Sequence, residues 1–133
     1  MQHRHPLYLI KAEESLLGAE SEFANGRYNN CANRCYYSTF QAAIHALQAA
    51  GVTLQSGRSI WSHEFVQAQF AGQLISRRKL YPASLSDTLS RNLILRQTAD
   101  YAVEQVSHTQ ASRALRRTRT LYAAIHDQGV EPA

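Results

Sequence analysis

The segment from Tyr28 to Ala50 is a long run without Pro or Gly, and it carries two opposed stripes of side chains. At about 100° per residue, one side of a helix built from it collects small and apolar residues that favour close packing. These residues are Tyr28, Ala32, Cys35, Tyr36, Thr39, Ala43, Ala46 and Ala50. The other side collects Arg34, Ser38, Gln41 and His45, with a single formal charge and several hydrogen-bonding groups. A solvated stripe is usually richer in Lys and Glu, so we interpret this side either as an ordinary half-exposed face or as a polar contact surface.

Helical periodicity also describes the segment before this helix. Pro6 suits the first turn of a helix, and Asn25-Gly26 is a typical stop signal. Between them, apolar residues recur at spacings of three and four, namely Leu9, Ala12, Leu16, Ala19 and Phe23. Because the turn after Gly26 is short, the first two helices are predicted to pair as an antiparallel hairpin.

Two further helices are predicted after the Gly-flanked loop 51–57. A capping hydroxyl at Ser59 or Ser62 begins the third helix, and its inward residues are Val66, Phe70 and Leu74. Ser84 is predicted to cap the fourth helix, which extends to about Glu104. Its inward residues are Leu85, Leu89 and Leu93.

The fifth helix is predicted from about Thr109 to His126, with Ala111, Leu115, Tyr122 and Ile125 inward. The sequence contains no strand-type alternation, internal repeat or low-complexity linker. We therefore predict an all-α, single-domain up-and-down bundle of about five helices. The domain spans residues 1–133, with its core at about 7–126 and a frayed tail at 127–133.

The chain of 133 residues, 44% of them hydrophobic, is large enough for one core without a metal or disulfide. Cys31 and Cys35 lie four residues apart on the second helix, where a strain-free disulfide is not expected. His45 lies on the opposite stripe, so packing cysteines are favoured over a zinc site. We expect reduced thiols in a cytoplasmic protein, no metal and no cofactor. The apolar patch 7–10 is interrupted by nearby charges, which is typical of neither a signal peptide nor a membrane span.

Positive charge is concentrated in residues 76–119, which hold nine Lys or Arg against three Asp or Glu. Twelve of the fourteen basic residues are Arg, whose planar fork suits phosphate and carboxylate groups. Arg113, Arg116 and Arg117 share one face of the fifth helix, and Arg119 lies to one side. This face is either solvated or in contact with phosphates, and the same two interpretations apply to the basic connector 76–83.

The fourth helix interrupts its own apolar stripe with charged residues. Arg96 and Asp100 stand at the next inward positions after Leu93, with Asn92 beside them. Unpaired burial of either charge is costly, so the two should pair with each other or with groups from another helix or subunit. The sequence thus indicates either a buried polar staple or a cleft that faces a ligand or RNA.

The expected roles of one histidine and of two adjacent tyrosines follow from their positions on the helices. His63 lies in the first turn of the third helix, where free N–H groups disfavour a protonated ring. It is expected either to be a neutral hydrogen-bonding group or to pack against a neighbouring helix. Tyr36 is expected in the core, whereas Tyr37 lies nearer the polar stripe and could reach a base or a partner subunit.

Three segments together resemble small HEPN-domain proteins. The run Asn33 to Ala43 is similar to the family's "RAYYAMFHAA" helix, and it is preceded by the "G-R-Y" of residues 26–28. Residues 62–65, with Phe70 and Gly72 behind them, resemble the "SHEGV…F…G" segment. Residues 96–101 resemble the "R-x-x-A-D-Y" motif, and the resemblance spans about residues 10–125.

The resemblance implies an HEPN-like four- or five-helix bundle, usually a homodimer with its cleft at the helices that contain Arg34 and Arg96. Many members are ribonuclease toxins or defence proteins, often paired with a small nucleotidyltransferase that neutralises them. Those ribonucleases carry an Arg followed four to six residues later by a His. Here residues 101–103 are Tyr, Ala and Val, so this His is absent.

Three functions are therefore considered. The leading one is a cytoplasmic homodimeric module of a toxin–antitoxin or defence system that binds nucleotide, RNA or a nucleotidyltransferase partner. The second is a metal-independent ribonuclease in which Arg96 stabilises a phosphorane and Asp100, Tyr101, His63 or His45 moves the proton. The third is a structural dimerisation bundle without a ligand. The candidate catalytic residues are Arg96, Asp100 and Tyr101, and the candidate ligand- or RNA-binding residues are Arg34, Tyr37, Gln41, His45, His63 and Asn92.

Overall fold

The computed structural model describes residues 6–54 and 60–128, and in these ranges every regular element is helical. Five α-helices follow one another along the chain: α1 (Leu7–Ala24), α2 (Tyr28–Ala49), α3 (His63–Gln69), α4 (Thr88–Tyr101) and α5 (His108–Gln128). A π-helical segment, Phe70–Arg77, continues α3, and a 3-10 turn, Ala83–Leu85, precedes α4. The prediction of an all-α fold is confirmed.

The α1–α2 hairpin has the predicted stop signal at its turn. Gly26 adopts φ 74°, a left-handed conformation that Gly enters without steric cost. The Arg27 N–H donates to the Glu22 carbonyl at 2.9 Å, and this bond satisfies a carbonyl at the end of α1. The chain therefore reverses within three residues, and α2 packs along the length of α1.

Helix α2 is the central element, because it contacts each of the other four α-helices. Its predicted apolar side is largely buried, and small residues such as Ala32, Cys35 and Ala43 allow close approach of its neighbours. The hydrophobic interior has two parts along this helix. One gathers around Leu47, the other around Cys31.

The middle of the polar stripe of α2, at Ser38 and Gln41, lies against α1, so this part is a polar contact surface and not a half-exposed face. Ser38 is fully buried, and its hydroxyl donates to the Ala12 carbonyl at 2.8 Å. The Gln41 side chain lies 2.8 Å from Ser15 Oγ. A helix can bury such groups when each finds a partner, and here the neighbouring helix supplies them.

The beginning of α3 agrees with the sequence, whereas the beginning of α4 does not. Ser62 caps α3 by accepting from the Phe65 N–H at 3.2 Å, while Ser59 lies outside the described residues. The prediction that Ser84 caps the fourth helix is wrong, since the chain makes a 3-10 turn there and α4 begins at Thr88. The prediction that α4 extends to Glu104 is also wrong. The helix ends at Tyr101, and Ala102 is extended.

Helix α5 begins at a capping box that sequence inspection missed. The Gln110 N–H donates to Ser107 Oγ at 3.0 Å, and the Ser107 N–H donates to Gln110 Oε1 at 2.9 Å. This reciprocal pair satisfies two N–H groups at the start of the helix. No helix in the described ranges has both the length and the apolar character that crossing a membrane requires.

Candidate nucleotide or RNA site

Arg96 is placed by α4 directly over two aromatic rings of α2. Its guanidinium carbon lies 5.1 Å from the centre of the Tyr36 ring and 5.7 Å from that of Tyr37. The guanidinium of Arg34 also lies near one of these rings, 5.0 Å from the Tyr37 ring centre. A guanidinium within about 6 Å of an aromatic ring is attracted by the ring's electron-rich face. The two arginines and two tyrosines therefore form one contiguous group.

The polar contacts of Arg96 leave part of its hydrogen-bonding capacity unused. Nη1 lies 3.3 Å from Asp100 Oδ2, so the predicted pairing of the two charges is present. The same nitrogen donates to the Tyr37 hydroxyl at a long 3.4 Å. Nε is buried and has no hydrogen-bond acceptor among the described residues. A buried N–H without an acceptor is costly, so the position of Arg96 is not optimal for stability by this measure.

His63 joins the same group through Tyr36. Its Nδ1 lies 3.3 Å from the Tyr36 hydroxyl, and the two ring centres are 5.9 Å apart. Burial lowers the pKa of His63, which favours the neutral ring. The structure thus combines the two sequence-based interpretations, because His63 makes a hydrogen bond and also packs on α2.

Six residues form what we call the arginine–tyrosine cluster: Arg34, Tyr36, Tyr37, His63, Arg96 and Asp100. Tyr36 was assigned only to the core, and it is indeed buried. It is nevertheless the residue that links the guanidinium of Arg96 to the imidazole of His63. The adjacent Tyr36-Tyr37 pair is visible in the sequence. Helical spacing alone, however, assigned Tyr36 to the core and Tyr37 to a contact surface.

The Arg34 end of the cluster opens onto a polar cleft. Arg34 Nη2 and Nε donate to Asn33 Oδ1 at 2.7 and 3.2 Å. The cleft has a volume of about 260 Å³, and Gly18 and Glu22 of α1 line it with Arg34. The arginine therefore lies between the tyrosine rings and a water-accessible surface.

Two predicted site residues take positions in the interior instead. Asn92 is fully buried: its Nδ2 faces Cys35 O, Thr39 Oγ1 and Thr118 Oγ1, and its Oδ1 accepts from Arg117 Nε at 2.7 Å. Gln41 is held between helices, with its amide nitrogen 3.0 Å from the carbonyl oxygens of Lys11 and Tyr37. Both amides are occupied by protein groups, so the structure does not bring them into the cluster.

The remaining two predicted site residues lie apart from the cluster as well. His45 lines a separate cleft of about 430 Å³ with Val52 and Trp61. Tyr101 stands at the end of α4 with 78% of its surface exposed. Of the predicted catalytic residues, Arg96 and Asp100 are therefore together, and Tyr101 points to solvent.

The two cysteines contribute to packing. Cys31 and Cys35 are free and buried, and a hydrogen bond between them, together with burial, raises the pKa of the Cys31 thiol. Among the described residues, no three His, Cys, Asp or Glu side chains are grouped so that they could hold a metal ion.

Comparison with known proteins gives one family match. The model of the HEPN domain matches residues 6–128, which is nearly the whole chain. A search of the curated proteins found no match. A helical fold and a function related to nucleotides or RNA are consistent with this match, and HEPN domains commonly dimerise. The chain belongs to the HEPN domain family.

Proposed function

We propose that the arginine–tyrosine cluster binds a phosphate-bearing ligand, either RNA or a nucleotide. The observation that carries this proposal is Arg96, whose guanidinium lies over two tyrosine rings and whose Nη1 makes two long contacts, at 3.3 Å to Asp100 and 3.4 Å to Tyr37. The Arg96 side chain is 20% exposed, so a ligand oxygen can approach it. A guanidinium fork is suited to phosphate because it donates two hydrogen bonds in one plane.

The surrounding residues support the same kind of ligand. Arg34 adds a second guanidinium near the Tyr37 ring, and Tyr37 itself is half-buried. Aromatic rings next to basic side chains are typical of sites that bind single-stranded nucleic acid, where bases contact the rings and the cations contact phosphates. Among the described residues, Asp100 is the carboxylate paired with Arg96, so an incoming anion competes with Asp100 on that side.

The assembly we propose is a homodimer that works with a nucleotidyltransferase-type partner in a toxin–antitoxin or defence system. Support comes from membership of the family, whose domains commonly dimerise, and from the motifs of Arg34 and Arg96.

The test compares Arg96→Gln with Arg119→Gln in the purified protein. Both variants remove one positive charge, but Arg119 is an exposed residue paired with Glu20 at 2.7 Å. Binding of a short single-stranded oligouridylate and of ATP is measured by titration at fixed salt. We expect Arg96→Gln to weaken binding and Arg119→Gln to change it little. Equal affinities in the two variants, each with native helicity, would refute the proposal.

A second candidate function, metal-independent RNA cleavage, is favoured by the position of His63. Cleavage needs a base for the 2′-hydroxyl proton and a cation for the charged phosphorane. Burial lowers the pKa of His63, which favours the neutral ring that a base requires, and Tyr36 connects this ring to the Arg96 guanidinium. If the protein is a ribonuclease, His63→Gln and Arg96→Gln should each abolish cleavage of total RNA in the absence of metal. Unchanged cleavage in His63→Gln would exclude His63 as the base.

The structural alternative predicts a different outcome for the same variants. If Arg96 and Asp100 serve only to hold helices or subunits together, Arg96→Gln should lower the free energy of unfolding or dissociate a dimer. It should do so without any ligand being found for the wild-type protein. Size-exclusion chromatography with light scattering, run beside the binding titration, separates this result from loss of a ligand contact.

A further inference from the structure

A second basic cleft lies between α4 and α5. Its volume is about 320 Å³, and its polar lining consists of Arg91, Thr98, Gln110, Arg113 and Arg117. It shares no lining residue with the arginine–tyrosine cluster. The cleft is therefore separate from the arginine–tyrosine cluster, although α4 contributes residues to both.

Arg117 is the fixed member of this cleft. Its Nε donates to the fully buried Asn92 Oδ1 at 2.7 Å, and Asn92 is in turn held by Thr118 Oγ1 at 3.0 Å. Among the described residues, the two terminal nitrogens of Arg117 have no hydrogen-bond acceptor, in contrast to its Nε. A guanidinium that is anchored at Nε presents these nitrogens in a defined direction, which limits the entropy lost when they bind an anion.

The positive charge of the cleft is only partly neutralised. Arg91 pairs with Asp87 at 2.9 Å, whereas neither Arg113 nor Arg117 forms an ion pair with any described residue. Burial lowers the pKa of Arg117, and the carboxylate of Asp87, which is paired with Arg91, only partly offsets this effect. A desolvated cation without a counter-ion is stabilised when an anion enters its site.

Of the two neutral polar residues in the lining, Gln110 has a donor to offer a group with several oxygen atoms. The Thr98 hydroxyl lines the cleft but donates to the Ile94 carbonyl at 3.2 Å. Gln110 uses its Oε1 to accept from the Ser107 N–H, which leaves its amide nitrogen as a donor. A tetrahedral phosphate can accept from this amide and from the arginines at the same time.

We propose that the cleft between α4 and α5 is a second phosphate-binding site, in which Arg117 is the anchored donor and Arg113 the main additional charge. The phosphate belongs either to a mononucleotide or to an RNA backbone, and both present the same group to the arginines. The site is independent of the ligand proposed for the arginine–tyrosine cluster.

The test uses Arg113→Gln with Arg116→Gln as the matched control. Both residues are exposed on α5 and both changes remove one charge, but only Arg113 lines the cleft. Each variant is made in an Arg96→Gln background, which removes the main contact of the arginine–tyrosine cluster. The probes are ADP, followed by calorimetry, and a short oligouridylate, followed by fluorescence anisotropy over a range of salt concentrations. Circular dichroism checks that the helices are retained.

We expect Arg113→Gln to weaken binding of at least one probe by about tenfold, the value of one charge-assisted hydrogen bond. We expect Arg116→Gln to weaken it by less than about twofold, because its charge is screened by solvent. An effect confined to oligouridylate, with the salt slope reduced by about one, assigns the phosphate to an RNA backbone. An effect on ADP assigns it to a mononucleotide. Equal losses in the two variants for both probes, or no binding of either probe, would overturn the proposal.

Discussion

The Tyr36 hydroxyl and His63 Nδ1 lie 3.3 Å apart and join the middle of α2 to the first residue of α3. This contact crosses 27 positions of sequence and places an imidazole on the ring that supports Arg96. Burial raises the pKa of Tyr36 and lowers that of His63, so both side chains are favoured in their neutral forms. Tyr36 and His63 therefore form a hydrogen bond between two neutral groups, next to the Arg96 cation.

Stability should decrease with acidification through His63. Because the folded-state pKa of His63 is lowered from 6.5, the unfolded chain takes up a proton first as the pH falls below this value. The contribution of the neutral ring is therefore present above pH 6.5 and is lost as the pH falls toward the folded-state pKa. Urea unfolding at several pH values should show this loss in the wild-type protein and a smaller loss in His63→Gln.

His126→Gln is the control for this experiment. His126 is exposed at the end of α5, with Nδ1 3.2 Å from Asp127 Oδ1. This variant should keep the acid-dependent loss that is seen in the wild-type protein. If His63→Gln and the wild-type protein have parallel stability curves, the neutral state of His63 is not coupled to folding.

Asn92→Ala should be strongly destabilising. The change removes a fully buried amide and leaves the Cys35 carbonyl, the hydroxyls of Thr39 and Thr118 and the Arg117 Nε with fewer partners. We expect a loss of about 3 kcal/mol in the free energy of unfolding, measured by urea titration. Asn30→Ala, at an exposed position, should change it by less than about 0.5 kcal/mol. Similar values for the two variants would contradict the network described here.

Ser62→Ala and Ser84→Ala should differ, although both serines were predicted to be helix caps. Ser62 accepts from the Phe65 N–H, so its loss should cost about 1 kcal/mol of unfolding free energy. Ser84 lies exposed in the 3-10 turn, and its replacement should cost less than about 0.5 kcal/mol. Thermal and urea unfolding of the two variants side by side provide the comparison. An equal or larger cost at Ser84 would count against the assigned caps.

Arg96→Leu should keep the helical content of the protein. The site continues the apolar stripe of α4 after Leu93, and the lost contacts with Tyr36, Tyr37 and Asp100 are partly replaced by apolar burial. We expect the unfolding free energy to change by less than about 1 kcal/mol, while affinity for oligouridylate falls. Circular dichroism, urea titration and anisotropy measure these three properties. An unfolded variant would instead identify Arg96 as a structural staple.

Local patterns in the sequence determined the number and approximate positions of the helices. Spacings of three and four placed Ala12, Ala43 and Leu115 in the interior, and Asn25-Gly26 ended α1 as expected. Helix ends were less well predicted where two signals competed. Ser84 lies two residues after Pro82 and resembles a cap. The chain forms a 3-10 turn at this point, however, and α4 begins only at Thr88.

The pairing of Arg96 with Asp100 also followed from the sequence, because residues four apart on a helix lie on one face. Arg34, Tyr37 and His63 were also among the candidate site residues, but the sequence did not predict that they form one group with Tyr36 and Arg96. Whether Tyr36, His63 and Arg34 meet depends on how α2, α3 and α4 are arranged, and helical spacing contains no information about that arrangement. The sequence by itself determined that helix α4 carries a charged pair within an apolar stripe. Only the tertiary structure decided that two tyrosines of α2 support Arg96, while Asn92 is buried and anchors Arg117, because these contacts join residues between 25 and 60 positions apart.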